Sequence, residues 1–150
     1  MNPNETYVIP PGGEKKEGVP FCGDMSSHAS FVWEHYVKAS GIGKLLVIAH
    51  SAGGSCVGRI MNDHREHFFK AVQQLAYTDS WVMVPDSLSE EEQTFFEDRV
   101  IHYESSHEKL GKKLEKRRKS YLVVSAGHPD HVFSTGCAWP LIKEKFAKSK

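Results

Sequence analysis

Apolar and polar positions change rhythm several times along this chain, and each change marks an element. The first 27 residues carry no sustained period. Pro3, Pro10, Pro11, Gly12, Gly13, Gly18, Pro20 and Gly23 punctuate them, so they read as loop in which only Tyr7-Val8-Ile9 extends. Ser26 or Ser27 can cap a helix whose apolar positions Phe31, Val32, Tyr36 and Val37 keep helical spacing until Ser40-Gly41. Lys44-Leu45-Leu46-Val47-Ile48-Ala49 is then a continuous apolar run between Gly43 and His50. Too short for a helix and not alternating, it predicts a strand buried on both faces of a parallel sheet.

Residues 52–68 read as the following helix, and Ala71-Val72-Gln73-Gln74-Leu75-Ala76-Tyr77 as a weaker strand ending at Thr78-Asp79-Ser80. Ser87-Leu88-Ser89-Glu90-Glu91-Glu92 resembles a helix start, with carboxylates against the positive end of the dipole. Residues 109–119 are basic and predict a helix. Tyr121-Leu122-Val123-Val124-Ser125-Ala126-Gly127 is a second buried strand, and residues 140–148 a closing amphipathic helix with Pro140 in its first turn. Strands alternate with helices, which implies an α/β fold with a mainly parallel sheet and flanking helices.

The 150 residues suit one domain, 1–150, with 1–25 as an extended loop leading into it. Nineteen Lys and Arg balance nineteen Asp and Glu, which argues against direct nucleic-acid binding. No apolar stretch approaches the roughly 18–20 residues of a membrane span, and no apolar run near the start suggests a secretory signal. Cys22, Cys56 and Cys137 form neither a CxxC pair nor an even framework, so free thiols in a reducing compartment are expected.

The sharpest chemical signal is Ala49-His50-Ser51-Ala52-Gly53-Gly54, directly after the apolar run. A serine on a tight strand-to-helix turn is the nucleophile elbow, which needs small residues two before and two after it. Ala49 and Gly53 take those places. The backbone N–H of Ala52 is placed to help hold an oxyanion, with His50 and Gly54 as further support of the elbow. A serine hydroxyl needs a base, and the base an orienting acid. Asp79 and His131 each follow a predicted strand, in the order Ser, Asp, His. All three fall beyond the carboxyl ends of strands, where open α/β sheets place their sites. Asp130 competes with Asp79, and His128 with His131. His128 precedes Pro129, which restricts it toward extended conformations and favours His131 as the base.

Each of these residues has a plainer reading: Ser51 in a simple tight turn, Asp79 in an Asx turn or cap, His131 as a surface histidine. His50 is expected to point away from the serine into supporting packing. His64 and His67 have i,i+3 spacing that could offer two metal ligands, but no third is identifiable, so neither a metal nor another cofactor is expected. Lys112 and the basic residues up to Lys119 could touch phosphate, although a solvated face explains them more simply. Phe95, Phe96 and Trp33 read as core or lid packing.

The chain resembles the Argonaute-binding-protein domain of cotranscriptional regulators, a branch of the α/β-hydrolase superfamily. The stretches that carry the resemblance are Asn2-Pro3-Asn4-Glu5-Thr6-Tyr7, His28-Ala29, and Val32-Trp33-Glu34-His35. Val47-Ile48-Ala49-His50-Ser51-Ala52-Gly53-Gly54, Leu75-Ala76-Tyr77-Thr78-Asp79-Ser80 and Val124-Ser125-Ala126-Gly127 with His131 complete it. The resemblance implies a partial α/β-hydrolase-like sheet, with Ser51 and His131 in the family's serine and histidine positions and Asp79 as the acid. It also implies protein partners of Argonaute, chromatin-remodelling or splicing type, in nucleus and cytoplasm, with no membrane.

In the family, several strands precede the Asn-Pro-Asn segment, whereas here it follows Met1. The expectation is therefore a chain like the domain's C-terminal part, without the loop that supplies a second oxyanion N–H unless a partner provides it. The basic segment 109–119 also departs from the family pattern. Two functions follow: an interaction protein, or a serine hydrolase acting on a small ester, thioester or amide through Ser51, His131 and Asp79. Such a chain is expected to be marginally stable, self-associating or catalytically silent in isolation.

Overall fold

The computed structural model describes residues 6–114 and 120–149. A small antiparallel ribbon, β1 (Tyr7–Val8) with β2 (Glu17–Gly18), leads to α1 (Met25–Val32), which runs on as a π-helical segment over Trp33–Lys38. Then come β3 (Leu45–His50), α2 (Gly53–Asp63), α3 (Arg65–Ala71), β4 (Val72–Thr78), α4 (Glu90–Arg99), β5 (Val100–Glu104) and β6 (Leu122–Ser125). A 3-10 turn at His131–Phe133 opens into α5 (Ser134–Ala147). The main sheet has the order β3-β4-β5-β6, every pair parallel, with helices on both faces. This is an α/β architecture.

Alternation along each strand decides which core a residue joins. Ala49, Leu75, Tyr77 and Val100 face a core built with Trp33 and residues of α2, α3 and α4, including Met61, Phe68, Phe95 and Phe96. Trp33, Phe95 and Phe96 are thus core rather than lid. Ala76, Tyr103 and Val124 face the other way, against Ala138 and Ile142 of α5. Strand β4, the weaker one by pattern, is the most deeply buried of the four, flanked on both sides.

Five local expectations are corrected. β3 is not covered on both faces: it lies at the sheet edge, and α5 packs over β4 and β5 while Leu46 and Ile48 stay 47% and 38% exposed. The helix over 52–68 is two helices, broken at His64, whose backbone leaves the helical region at φ −131° and ψ 37°. A polar cluster holds that break. His64 Nδ1 faces Glu34 at 3.0 Å and its Nε2 faces the Ser30 hydroxyl at 3.0 Å, while that hydroxyl donates to Asp63 at 2.6 Å.

The cap of α1 is Asp24, whose carboxylate accepts from the N–H groups of Ser26 and Ser27 at 2.8 and 2.9 Å. Residues 109–114 are not helical. The N–H of Gly111 donates to Ser125 and that of Leu114 to Val123, so this segment lies antiparallel along the outer edge of β6. Lys112 pairs with Glu108 at 2.7 Å, and residues 115–119 of that segment lie outside the described residues. Pro140 sits inside α5, which has already begun at Ser134.

Strand β5 has no counterpart in the sequence reading. Helix α4 passes into it at Arg99–Val100 without a turn, so no Gly or Pro marks the boundary. The start of α4 does follow its pattern. Ser89 and Glu92 close a reciprocal capping box, and Arg65 of α3 clasps the Glu92 carboxylate at 2.5 and 2.6 Å. That clasp holds the Glu92 carboxyl far below its usual range, down to about 2.

Candidate active site

Parallel register brings the ends of three strands level. His50 pairs with Thr78 and Thr78 with Tyr103, so Ser51, Asp79 and Glu104 follow side by side at the carboxyl edge. Ser51 and Asp79 both have left-handed backbones, at φ 54° and 42°. For side-chain-bearing residues this conformation costs on the order of 1–3 kcal/mol and persists only where surroundings enforce it. Here the ladder does so. The Ser51 N–H donates to the Thr78 carbonyl at 3.2 Å, and the Asp79 N–H to the Tyr103 carbonyl at 2.8 Å. The Ser51 carbonyl accepts from the Ser80 hydroxyl at 2.6 Å and from the Trp81 N–H at 3.4 Å.

The turn at Ser51 feeds α2, with Ala52 at its N-cap position. The Ala52 N–H makes no hydrogen bond among the described residues, which leaves a free donor at the positive end of an 11-residue helix. The glycine that the turn requires is Gly54 rather than Gly53. A Cβ on Gly54 would fall 1.7 Å from the Trp81 carbonyl oxygen, whereas one on Gly53 would make an ordinary 3.7 Å contact with Ala49.

His131 opens the 3-10 turn before α5, and its Nδ1 lies 2.6 Å from Asp79 Oδ2. The other carboxylate oxygen accepts from the Ser105 N–H at 3.1 Å. Burial pushes the Asp79 carboxyl up, but the hydrogen bonds from His131 and Ser105 outweigh it and hold the group below its ordinary range. A carboxylate only accepts, so His131 Nδ1 donates to it, and in the neutral form of the ring the lone pair is then on Nε2. The competitors are engaged elsewhere. Asp130 caps the turn by accepting from the Val132 N–H, and His128 accepts the Asp130 N–H while its ring meets Phe133 edge-on.

His50 is not part of the cleft lining and packs behind it. Its ring packs on that of His131 at 4.5 Å between centroids, and its Nδ1 donates to the Thr78 carbonyl at 2.9 Å. Ser51 and His131 line one cleft of about 400 Å³, yet the Ser51 hydroxyl makes no hydrogen bond among the described residues. Asp79, Ser80, Trp81, His102 and Glu104 complete the lining. The last three escape sequence reading. Glu104 and His102 sit on the unforeseen β5, and Trp81 in a loop whose only signal is its place two residues after Asp79.

The two histidines considered as metal ligands go to different partners: His64 to Glu34 and Ser30, His67 edge-on against Trp33. Among the described residues no three His, Cys, Asp or Glu side chains are grouped to hold a metal ion. Cys22 and Cys56 are buried and Cys137 half-buried, all as free thiols. No helix among the described residues is long and apolar enough to cross a membrane.

Comparison with known proteins places these residues in a family. The Arb2 domain matches residues 7–110, more than half of the chain. The cotranscriptional regulator ARB2A homolog of Dictyostelium discoideum is 25% identical over 124 residues, covering 80% of this chain and 32% of its own. The Gallus gallus homolog and cotranscriptional regulator ARB2A of Mus musculus are each 25% identical over 131 residues, covering 85% of this chain and 31% of theirs. The chain thus spans about a third of the length of the curated relatives it matches. No solved structure matches it. The chain belongs to the Arb2 domain family.

Proposed function

We propose that this Arb2-family chain is part of a cotranscriptional regulator and carries a serine acyl-hydrolase site. The regulatory half of the reading rests on the names of the relatives. It carries with it protein partners of Argonaute, chromatin-remodelling or splicing type and a place in nucleus and cytoplasm. The chemical half rests on one observation: the 2.6 Å Asp79–His131 pair shares a cleft with a serine held in a left-handed turn at a helix N-terminus.

In this reading a bound ester presents its carbonyl carbon to Ser51 Oγ and its oxygen to the Ala52 N–H. His131 Nε2 takes the serine proton as the C–O bond forms, and Asp79 steadies the imidazolium from the Nδ1 side. The same proton passes to the departing alcohol as its bond to the carbonyl carbon breaks. Water then repeats the exchange on the acyl-serine, releasing the acid and restoring Ser51. Substrate binding must bring Ser51 and His131 into hydrogen-bond reach, a tightening common between free and substrate-bound sites.

Labelling with a fluorophosphonate, read by intact-protein mass, tests this directly. One probe adduct on the wild-type chain and none on Ser51→Ala is the expected result. An unlabelled wild-type chain would leave the regulator reading without catalysis, a scaffold that acts by contacts alone. Partner capture from nuclear extract that is equal for wild type and Ser51→Ala would favour that second reading.

A further inference from the structure

Trp81 lines the candidate cleft although two thirds of its surface, 67%, faces solvent. The loop that carries it is fastened to the serine turn and to α2. The Trp81 carbonyl presses on α2 at Gly54, where any Cβ would come within 1.7 Å of its oxygen. Its N–H reaches the Ser51 carbonyl at 3.4 Å, and the Ser80 hydroxyl before it grips the same carbonyl at 2.6 Å. Two residues on, Met83 lies over Gly58, one turn further along α2, with its Cβ 2.7 Å from where a glycine Cβ would stand. The loop is therefore pinned along the helix that begins at the serine turn, and the Trp81 backbone keeps a fixed relation to Ser51.

The rest of the lining, Ser51, Asp79, Ser80, His102, Glu104 and His131, is polar or ionisable. Among the described residues Trp81 is the one apolar member of that lining. We infer that Trp81 is a specificity determinant: its face seats the apolar acyl chain of an ester whose carbonyl lies at Ser51. This rests on the hydrolase reading above and names its substrate class, short to medium aliphatic acyl esters. A cleft of about 400 Å³ lies toward the small end of ligand sites, which sets that length.

A methylene fully removed from water gains about fourfold in binding, and one laid on a single face about half of that, twofold. Four added methylenes, from acetate to hexanoate, then raise kcat/KM roughly 16-fold. The experiment measures kcat/KM for p-nitrophenyl acetate, butyrate and hexanoate on the wild-type chain, Trp81→Ala and Trp81→Phe, with fluorophosphonate labelling of each. Expected are a rising series for wild type, a flat one for Trp81→Ala and a largely restored one for Trp81→Phe. Ser51-dependent labelling with a flat wild-type series, or an unchanged slope in Trp81→Ala, overturns the acyl seat and leaves the hydrolase reading standing. Loss of Ser51-dependent labelling in the wild type overturns both.

Discussion

Replacing Gly54 by alanine tests how the site is assembled, because the added methyl has nowhere to go. Its Cβ would stand 1.7 Å from the Trp81 carbonyl oxygen, 2.7 Å from the Trp81 carbonyl carbon and 2.7 Å from Ser80 Oγ. Two of these atoms are backbone, so a rotamer change cannot relieve the clash. The loop must retreat by about 1.5–2 Å to reach ordinary contact distance. That movement breaks the Ser80 hydroxyl and Trp81 N–H bonds to the Ser51 carbonyl. Each bond contributes about 0.5–1.5 kcal/mol, and overpacking itself costs about 1–3.

Together these give a loss of about 2–6 kcal/mol, or roughly 4–24 °C in Tm for a chain of this size. Gly53→Ala is the internal control. Its Cβ meets Ala49 at an ordinary 3.7 Å, and alanine favours a helix over glycine by about 1 kcal/mol. Thermal and urea unfolding of the two variants should therefore move in opposite directions, or nearly so. A Gly54→Ala protein as stable as wild type, or a Gly53→Ala protein that is the worse of the two, would refute this account of the elbow.

Three further outcomes are expected. If the Asp79–His131 pair is the base and its orienting acid, His131→Ala should lose fluorophosphonate labelling and His128→Ala should keep it; the reverse would move the role to His128. Glu92 has a folded pKa of about 2 against an ordinary 4.5, so its stabilising effect is complete above 4.5 and fades as pH falls toward 2. Glu92→Gln should thus lower stability at neutral pH by roughly 1–2 kcal/mol, after allowance for the exposed Arg65, and flatten urea unfolding free energies across that acid window; an unchanged acid slope would contradict it. Along β3, the exposed Leu46 and Ile48 beside an edge with no partner strand among the described residues should drive concentration-dependent association. Sedimentation velocity should show Ile48→Lys shifted toward monomer, and equal association of both proteins would count against it.

Much of the fold is written in short-range pattern, and its exceptions share a cause. Apolar runs located β3, β4 and β6, and Ser87 to Glu92 with its run of carboxylates marked the start of α4, because burial and the pull of the helix dipole act within a few residues. Whether a strand is central or at an edge is a different quantity. Leu45 to Ala49 is as apolar as a central strand, yet nothing in the run says what lies beside it, and among the described residues the sheet ends there. Strand β5 hid for the opposite reason. His102 and Glu104 interrupt its apolar residues, since its carboxyl end lines the cleft rather than the core. The segment 109–114 shows the same limit from the charge side: lysines satisfied a helical pattern, while hydrogen bonds to Val123 and Ser125 drew the backbone into an extended edge.

Residues of the candidate site were visible where each stood just past an apolar run, as Ser51, Asp79 and His131 do. What no local pattern contains is the order β3-β4-β5, which sets Ser51, Asp79 and Glu104 side by side. That order also explains the backbone. Ser51 and Asp79 each sit one residue beyond a ladder and must turn the chain while still bonding to the neighbouring strand, Ser51 to Thr78 and Asp79 to Tyr103. A left-handed residue lets the N–H complete the ladder while the chain swings off the sheet edge. The Ser51 carbonyl then becomes the anchor for Ser80 and Trp81, and the Asp79 carboxylate the anchor for Ser105 and His131. Strain at the two turns and contact among the loops are thus one arrangement, in which each loop holds the next, and the chemistry-bearing side chains are placed by bonds that no single segment makes alone.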